Sequence, residues 1–395
     1  MSKTTEMIVL PSLRGRLLQD GRIQVTTKLL DGLAQYAARW PGPVTAILHP
    51  DRRASSGNLD DVAVDPASLP FTLKLIPFDS LELLRALKSA RLVQGGADYL
   101  LNRIPEFCRS ESIPYVFVSE YTLRTRRQII DAETQNLGLR LRRYMWAWNQ
   151  ERINRRNAAL SAAVQCNGTP TFTAYKDLNS RVLLYFDTRV RDDMMLAGAT
   201  LERRVAGLRA KQPLRLAFSG RLNRMKGADD LLSVARRLKE LQVPFTFDIC
   251  GDGDLTGALN DGIATSGLGD FVRLRGVLEF ERELVQFMQS EIDLFVCCHR
   301  QGDPSCTYLE TLACGVPIVG YDNEALVGLL EHCPAGWTVP MNRPAALADL
   351  IASLYSRPEE LLSAANRGLA FARKHVAERT FANRISHMEE VAGVA

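Results

Sequence analysis

Short apolar runs alternate with amphipathic stretches through most of this chain, and the alternation starts twice. From residue 214 the runs 214–218, 245–250, 272–274, 294–296, 318–319 and 336–339 read as buried strands, with helix-spaced segments such as Leu231, Leu232, Val234, Ala235 and Leu238 between them. A strand that is apolar on both faces needs a helix on each side of it. The expected fold is therefore α/β, built on doubly wound parallel sheets. The first half has the same rhythm, with strands at 7–11, 44–48, 71–76, 92–93, 115–118, 162–165 and 182–184. Gly21 is read as opening its first long helix, through Ile23, Leu29, Leu30, Leu33 and Tyr36. At 395 residues the chain exceeds what one core usually fills. We expect two Rossmann-like domains facing across a cleft: residues 1–190, a polar linker at 191–213 ending on Pro213, and residues 214–375. A last helix at 376–395 packs back toward the first domain.

Charge divides the two halves. The formal net charge is +4, but residues 1–190 hold 26 Lys and Arg against 18 Asp and Glu, whereas the remainder holds 23 against 27. Between Tyr121 and Arg156 lie nine arginines and three acids, interleaved with Leu139, Leu141, Tyr144, Met145, Trp146 and Trp148. Such a segment suits either contact with an anionic membrane surface or a long helix with a solvated charged face. No nucleic-acid-binding motif is present, and nucleic acid is not an expected partner. The eight cysteines show no metal-ligand spacing and lie mostly in apolar runs, which suggests a reducing compartment. The first ten residues lack the pattern of a secretory leader, and no run has the length to span a bilayer. The expectation is a cytoplasmic protein, with peripheral attachment to the inner face of the membrane left open.

Two stretches carry the chemistry. Residues 219–227, Ser-Gly-Arg-Leu-Asn-Arg-Met-Lys-Gly, follow a strand and precede a helix. Their turn offers two cations, Arg221 and Lys226, and glycines such as Gly220 that let backbone approach a ligand, an arrangement suited to a diphosphate. Residues 303–310 end on Glu310, inside a helix-like run that stops at Gly315-Val316-Pro317. A carboxylate there suits ribose hydroxyls.

Together with CGDGDL at 250–255, VRLRG at 272–276, DLFV at 293–296 and LETLACGVPIVG at 309–320, these stretches follow the order and spacing of the family 4 glycosyltransferases, which the C-terminal half resembles. The resemblance implies the GT-B fold, with an N-terminal acceptor domain and a C-terminal nucleotide-sugar domain. It also implies a retaining transfer of a hexose from a UDP- or GDP-sugar to an acceptor hydroxyl, with no metal and no cofactor. The acceptor would be a saccharide or lipid-linked saccharide in surface polysaccharide synthesis. In the family, residues placed as Arg221 and Lys226 hold the donor diphosphate and neutralise the departing nucleotide, and one placed as Glu310 holds the ribose. The amides of Ser305 and Cys306 fall where sugar and phosphate oxygens are cradled, and Gly251, Gly276 and Val277 lie along the nucleotide. The family's first acid falls at 302, where this chain has Gly302; Asp303 is the neighbouring substitute, or an ordinary turn residue before Pro304. Gly21 corresponds to the glycine that approaches the phosphate across the cleft, with Gly15 as its rival. Many relatives carry a histidine after the strand at 115–118, and here Glu120 follows it instead. Glu120 either orients the acceptor or pairs with Arg124, Arg126 or Arg127. His49 and His299 are further cleft candidates. A nucleotide-sugar epimerase or a non-catalytic binding subunit of the same architecture remains the alternative reading.

Overall fold

The computed structural model describes residues 5–51 and 60–394; residues 1–4, part of the segment read above for a leader, lie outside them. The first sheet contains β1 (Met7–Leu10), β2 (Arg14–Leu17), β3 (Ile23–Thr26), β4 (Val44–Pro50), β5 (Asp61–Val64), β6 (Thr72–Leu75), β7 (Leu92–Gly96), β8 (Tyr115–Ser119), β9 (Ala163–Asn167) and β10 (Val182–Tyr185). Its order is β10-β9-β8-β7-β1-β4-β2-β3-β5, with β6 also on β4. The central strands pair in parallel, and all four residues of β1 are buried, as a strand covered by helices on both faces requires.

Gly21 does not open a helix. It sits at the exposed tip of an antiparallel β2–β3 hairpin with φ +83°, its N–H bonded to the Leu18 carbonyl at 3.1 Å. Ile23 and Val25 face inward on β3 with Gln24 between them, a period of two that belongs to a strand. The helix begins at Thr27 and runs to Arg39. It is capped by the Thr26 hydroxyl, which accepts from the Leu29 N–H at 3.2 Å.

The second sheet holds β11 (Leu214–Ser219), β12 (Phe245–Cys250), β13 (Val272–Gly276), β14 (Leu294–Cys297), β15 (Ile318–Tyr321) and β16 (Gly336–Val339). All its pairs are parallel, in the order β13-β12-β11-β14-β15-β16. The order reverses between β11 and β14, so the loops that follow these strands diverge and leave a crevice at their carboxyl ends.

Within the stretch expected as a linker, 191–213, the chain forms the helix Gly198–Arg209 and docks on the second domain. Its buried Arg204 donates through its two terminal nitrogens to the carbonyls of Met288, Ile292, Cys314 and Gly315, which offsets much of the cost of burying the guanidinium. The last helix, Ala377–Ala392, contributes Phe381, Ile385 and Met388 to the core of the first domain. Phe381 meets Tyr36 edge-on at 5.1 Å, and burying each such apolar side chain is worth about 1.5–3 kcal/mol.

The basic segment folds as two helices, Leu123–Glu133 and Leu137–Leu160. The longer one is inverted in polarity. It buries Gln150, Glu151, Asn154 and Asn157 against the domain and exposes Leu137, Leu141, Met145 and Trp148, which lie four, four and three residues apart and so share one face. The buried polar groups satisfy one another: Gln150 exchanges bonds with Asn102 at 2.7 and 3.0 Å, and Glu151 accepts from Arg126 and Tyr175. The two domains meet where the helix Gly168–Tyr175 packs against Glu324–His332. Gly328 leaves room for Thr169, and Gly168, with φ +75°, leaves room for Pro304.

Candidate active site

Residues from both domains converge at the carboxyl ends of the two sheets. After β11 the chain turns at Gly220 and again at Gly227, where φ is +66° and a side chain would collide with the Cys298 carbonyl. That close approach fixes Lys226. Its backbone N–H bonds to Asn223 Oδ1 at 3.0 Å, and its Nζ reaches Asp303 Oδ2 at 3.0 Å, with the side chain almost wholly buried. The buried Gln301 also donates to Asp303, at 3.2 Å. Arg221, on the same turn, is exposed, lines the cleft and has no ion-pair partner among the described residues.

Glu310 lies in the helix Cys306–Ala313 and is buried, with Arg189 Nε at 3.0 Å from its Oε1. Ser305 is the N-cap of that helix and gives it no side-chain bond; its own N–H, expected to cradle the donor, donates instead to the Asp303 carbonyl at 2.7 Å, and the Tyr308 N–H donates to the Ser305 carbonyl at 3.1 Å, which leaves the Cys306 and Thr307 amides of the first turn available. Gly251 ends β12 with φ +128° and donates to the Gly276 carbonyl; Gly276 ends β13 with φ +70°, and Val277 beyond it is half exposed. Gly253 packs on the Leu222 carbonyl.

Across the cleft, the first domain presents Lys28, one residue into the helix that follows β3. Its Nζ lies 2.6 Å from Asp187 Oδ2 and 2.7 Å from Cys306 Sγ, so one ammonium ties the two domains together. Burial alone would lower its pKa, but Asp187 and Cys306 raise it well above the ordinary lysine value. The same pairing lowers that of Asp187 against its own burial. Burial pushes the Cys306 thiol up to about 11. Glu120 opens into the cleft but is enclosed by both domains. That enclosure raises its pKa, opposed by Lys28 and aided by Asp187 and Asp303. It does not pair with the neighbouring arginines: Arg124 reaches Glu324, Arg126 reaches Glu151 and Arg127 lies over the Tyr144 ring. Tyr121 faces Asp303, whose charge, with burial, raises the phenol's pKa.

The loop at 302 is held from the first domain. Gly302 N–H donates to Gln128 Oε1 at 2.8 Å, its carbonyl accepts from Thr125 Oγ1 at 3.2 Å, and Gln128 Nε2 donates to both Glu324 oxygens at 3.1 Å. A side chain at 302 would collide with the Glu324 carboxylate.

The structure thus brings together Arg221, Lys226, Asp303, Ser305, Cys306 and Glu120, with Glu310, Gly251 and Gly276 along the rim of the second sheet. Gly21 stays outside, at its hairpin tip, and Gly15 is buried within β2 against Leu48 and Leu75. His49 accepts from the Phe78 N–H. His299 is buried beside Phe218 and Tyr308, where burial and then Lys226 hold its pKa well below the usual value. Lys28, Tyr121, Asp187 and Arg189 join the site without having been anticipated. For Lys28 a signal existed: Thr26 ahead of the Leu29, Leu33 and Tyr36 repeat is an N-cap pattern that places Lys28 in the first turn.

Residues 200–369 match the family model described as glycosyl transferases group 1. Over 149 residues the chain is 31% identical to the amylovoran biosynthesis glycosyltransferase AmsK of Erwinia amylovora, an alignment covering 36% of each protein, so it spans about a third of that relative's length. Its fold is similar along the whole chain to HepE from Anabaena, solved with UDP (TM-score 0.67, 15% identity, 98% of this chain and 99% of that one). It is similar too to sucrose-phosphate synthase from Thermosynechococcus elongatus (TM-score 0.65, 16% identity, 98% of each). The chain has the GT-B fold, and its residues 200–369 match the glycosyl transferases group 1 model.

Proposed function

We propose that the protein is a retaining glycosyltransferase that moves a hexose from a UDP- or GDP-sugar to a hydroxyl of a saccharide or lipid-linked saccharide in polysaccharide synthesis. The observation that carries this reading is the pairing of Lys226 with Asp303 beside Arg221 and the first turn of the Cys306–Ala313 helix. A diphosphate entering there meets a guanidinium, an ammonium and unpaired backbone amides, which together stabilise the charge that develops as the sugar–phosphate bond breaks. Those cations do the work a divalent ion would otherwise do. Asp303 is placed to accept from donor-sugar hydroxyls and Glu310 from the ribose, once Arg189 shares its carboxylate. On the same face, a departing phosphate oxygen accepts the proton of the incoming hydroxyl, with Glu120 orienting the acceptor. No protein nucleophile takes part in that route. The AmsK name and the UDP-bound HepE structure support this reading.

The test is incubation of the purified chain with a panel of UDP- and GDP-sugars, with and without saccharide acceptors, in buffer containing EDTA. We expect slow donor hydrolysis alone, faster turnover with acceptor, and a product whose anomeric configuration by NMR matches the donor. Epimer formation, or binding without turnover, would replace this reading with an epimerase or a binding subunit. Inversion, or dependence on added metal, would overturn the mechanism.

We further infer peripheral docking of the first domain on anionic membrane through the inverted helix. Leu137, Leu141, Met145 and Trp148 form an exposed apolar stripe, and Arg152, stacked on Trp148 at 5.1 Å, is among the exposed arginines beside it. Among the described residues no helix is long and apolar enough to cross a membrane. Phosphatidylglycerol vesicles should sediment the protein at low salt, with binding falling at least tenfold in a Leu141→Glu/Met145→Glu double variant. Equal binding by the variant, or none by the parent, removes the docking claim.

A further inference from the structure

The chain passes from the first sheet to the second through residues 186–190, where Phe186 and Val190 enter the core of the second domain and Asp187 and Arg189 carry charge. The segment is held at both ends. The Asp187 N–H donates to Asn167 Oδ1 at 3.1 Å, and the Val190 carbonyl accepts from the N–H of Ala377, the first residue of the last helix, at 2.8 Å. Its two charged side chains meet one face of the helix Cys306–Ala313, because Cys306 and Glu310 lie four residues apart there. Asp187 reaches Cys306 through Lys28, and Arg189 reaches Glu310 directly, Nε to Oε1 at 3.0 Å. Cys306 meets a lysine of the first domain, so Glu310 shares the cleft side of the helix. Tyr308, Leu309 and Leu312 belong to the core behind it.

This arrangement divides the Glu310 carboxylate. Arg189 occupies Oε1, whereas Oε2 has no hydrogen-bond partner among the described residues. At 8% exposure the group has little room to turn. The guanidinium is itself fixed from a second side, with its carbon 4.0 Å from the centroid of the Phe280 ring. Phe280 lies four residues beyond Gly276, in the segment that Gly276 and Val277 begin along the expected nucleotide path. A charge-assisted bond to a fixed donor thus leaves one acceptor oxygen, aimed in one direction. A site built around such an oxygen rejects a ligand that lacks the matching hydroxyl, because the acceptor is then enclosed without a donor.

We propose that Arg189 is a positioning residue for the nucleotide: by holding Oε1 it turns Oε2 of Glu310 to the ribose, and so makes the donor site select ribonucleotides over their deoxy forms. The assignment rests on the ribose role given to Glu310 above and adds the group that makes that carboxylate selective. It also places a nucleotide-reading residue on the segment that joins the two domains.

Calorimetry on the full chain compares UDP with 2′-deoxy-UDP and 3′-deoxy-UDP, and GDP with its two deoxy forms, in the parent, Glu310→Gln, Arg189→Met and Arg189→Lys. The parent should bind its preferred ribonucleotide at least about tenfold more tightly than one of the deoxy forms. Glu310→Gln and Arg189→Met should each bring that ratio to about threefold or less. Arg189→Lys keeps the charge but not the flat fork, so its ratio should fall below half of the parent's, and it tests the point even if Arg189→Met does not fold. A merely structural loss weakens ribose and deoxy forms alike and leaves the ratio unchanged. A parent that does not discriminate, or Glu310→Gln with the parent's ratio, overturns the ribose role of Glu310 and this inference with it. If Glu310→Gln loses the ratio while Arg189→Met or Arg189→Lys keeps it, the inference about Arg189 alone is overturned.

Discussion

Replacing Lys226 by alanine is expected to lower kcat/KM for donor turnover by about 10²–10³-fold, the loss typical when one preorganised charge is taken from a developing anion. The structure gives a second reason for a large effect. Lys226 is buried and paired at 3.0 Å with Asp303, so its removal leaves a carboxylate beside the incoming diphosphate with only the Gln301 amide to hold it. UDP affinity should therefore fall as well. It should recover in part in Lys226→Ala/Asp303→Asn, where the repulsion is gone, and that non-additivity is the measurement that separates the two causes. Lys226→Arg should remain impaired, because a planar fork does not reproduce a point charge in a pocket shaped by Asn223 and Gly227. Steady-state kinetics and calorimetry of the three variants check this. If Lys226→Ala binds UDP and turns over like the parent, the donor site is misassigned.

The second large effect is on stability. Gly251 ends β12 with φ +128°, and a Cβ there would run into the backbone carbonyl of Gly220 at the end of the neighbouring strand. Backbone cannot rotate away as a side chain does, so Gly251→Ala must prise β11 from β12 at the rim that carries Arg221. A loss of roughly 3 kcal/mol or more is expected from strain and overpacking combined. Gly276→Ala is the control. Its φ of +70° is also unfavourable for alanine, but nothing lies within 4 Å of the new carbon, so about 1 kcal/mol is expected. Denaturant midpoints of the two variants decide the matter. Equal losses would mean that the contact with Gly220 does not limit this turn.

The central strands were legible because they are buried on both faces and read as continuous apolar runs; 245–250 coincides with β12. The β2–β3 hairpin was not, since Arg-Gly-Arg-Leu carries almost no apolar signal and Ile23 fits a helical repeat with Leu30 as well as it fits a strand with Val25. That ambiguity moved the helix start to Gly21 and hid Lys28. Lys226 and Asp303 could be singled out because each belongs to a local motif. Gln128 and Gly302, 174 residues apart, meet through side-chain-to-backbone bonds that leave no periodic trace in either segment. The inverted helix was legible only as a basic, aromatic segment. Its buried face is polar, so hydrophobic patterning pointed to the wrong side.

Glycine at 302 sets how tightly the two domains close on each other. Its bare backbone lets Glu324 and Gln128 close over it, with Thr125 on its carbonyl, so the space that an acidic side chain would need is filled by a carboxylate from another helix. A glutamate at 302 would set a second anion against the Glu324 carboxylate, which would have to swing away from Gln128 to admit it.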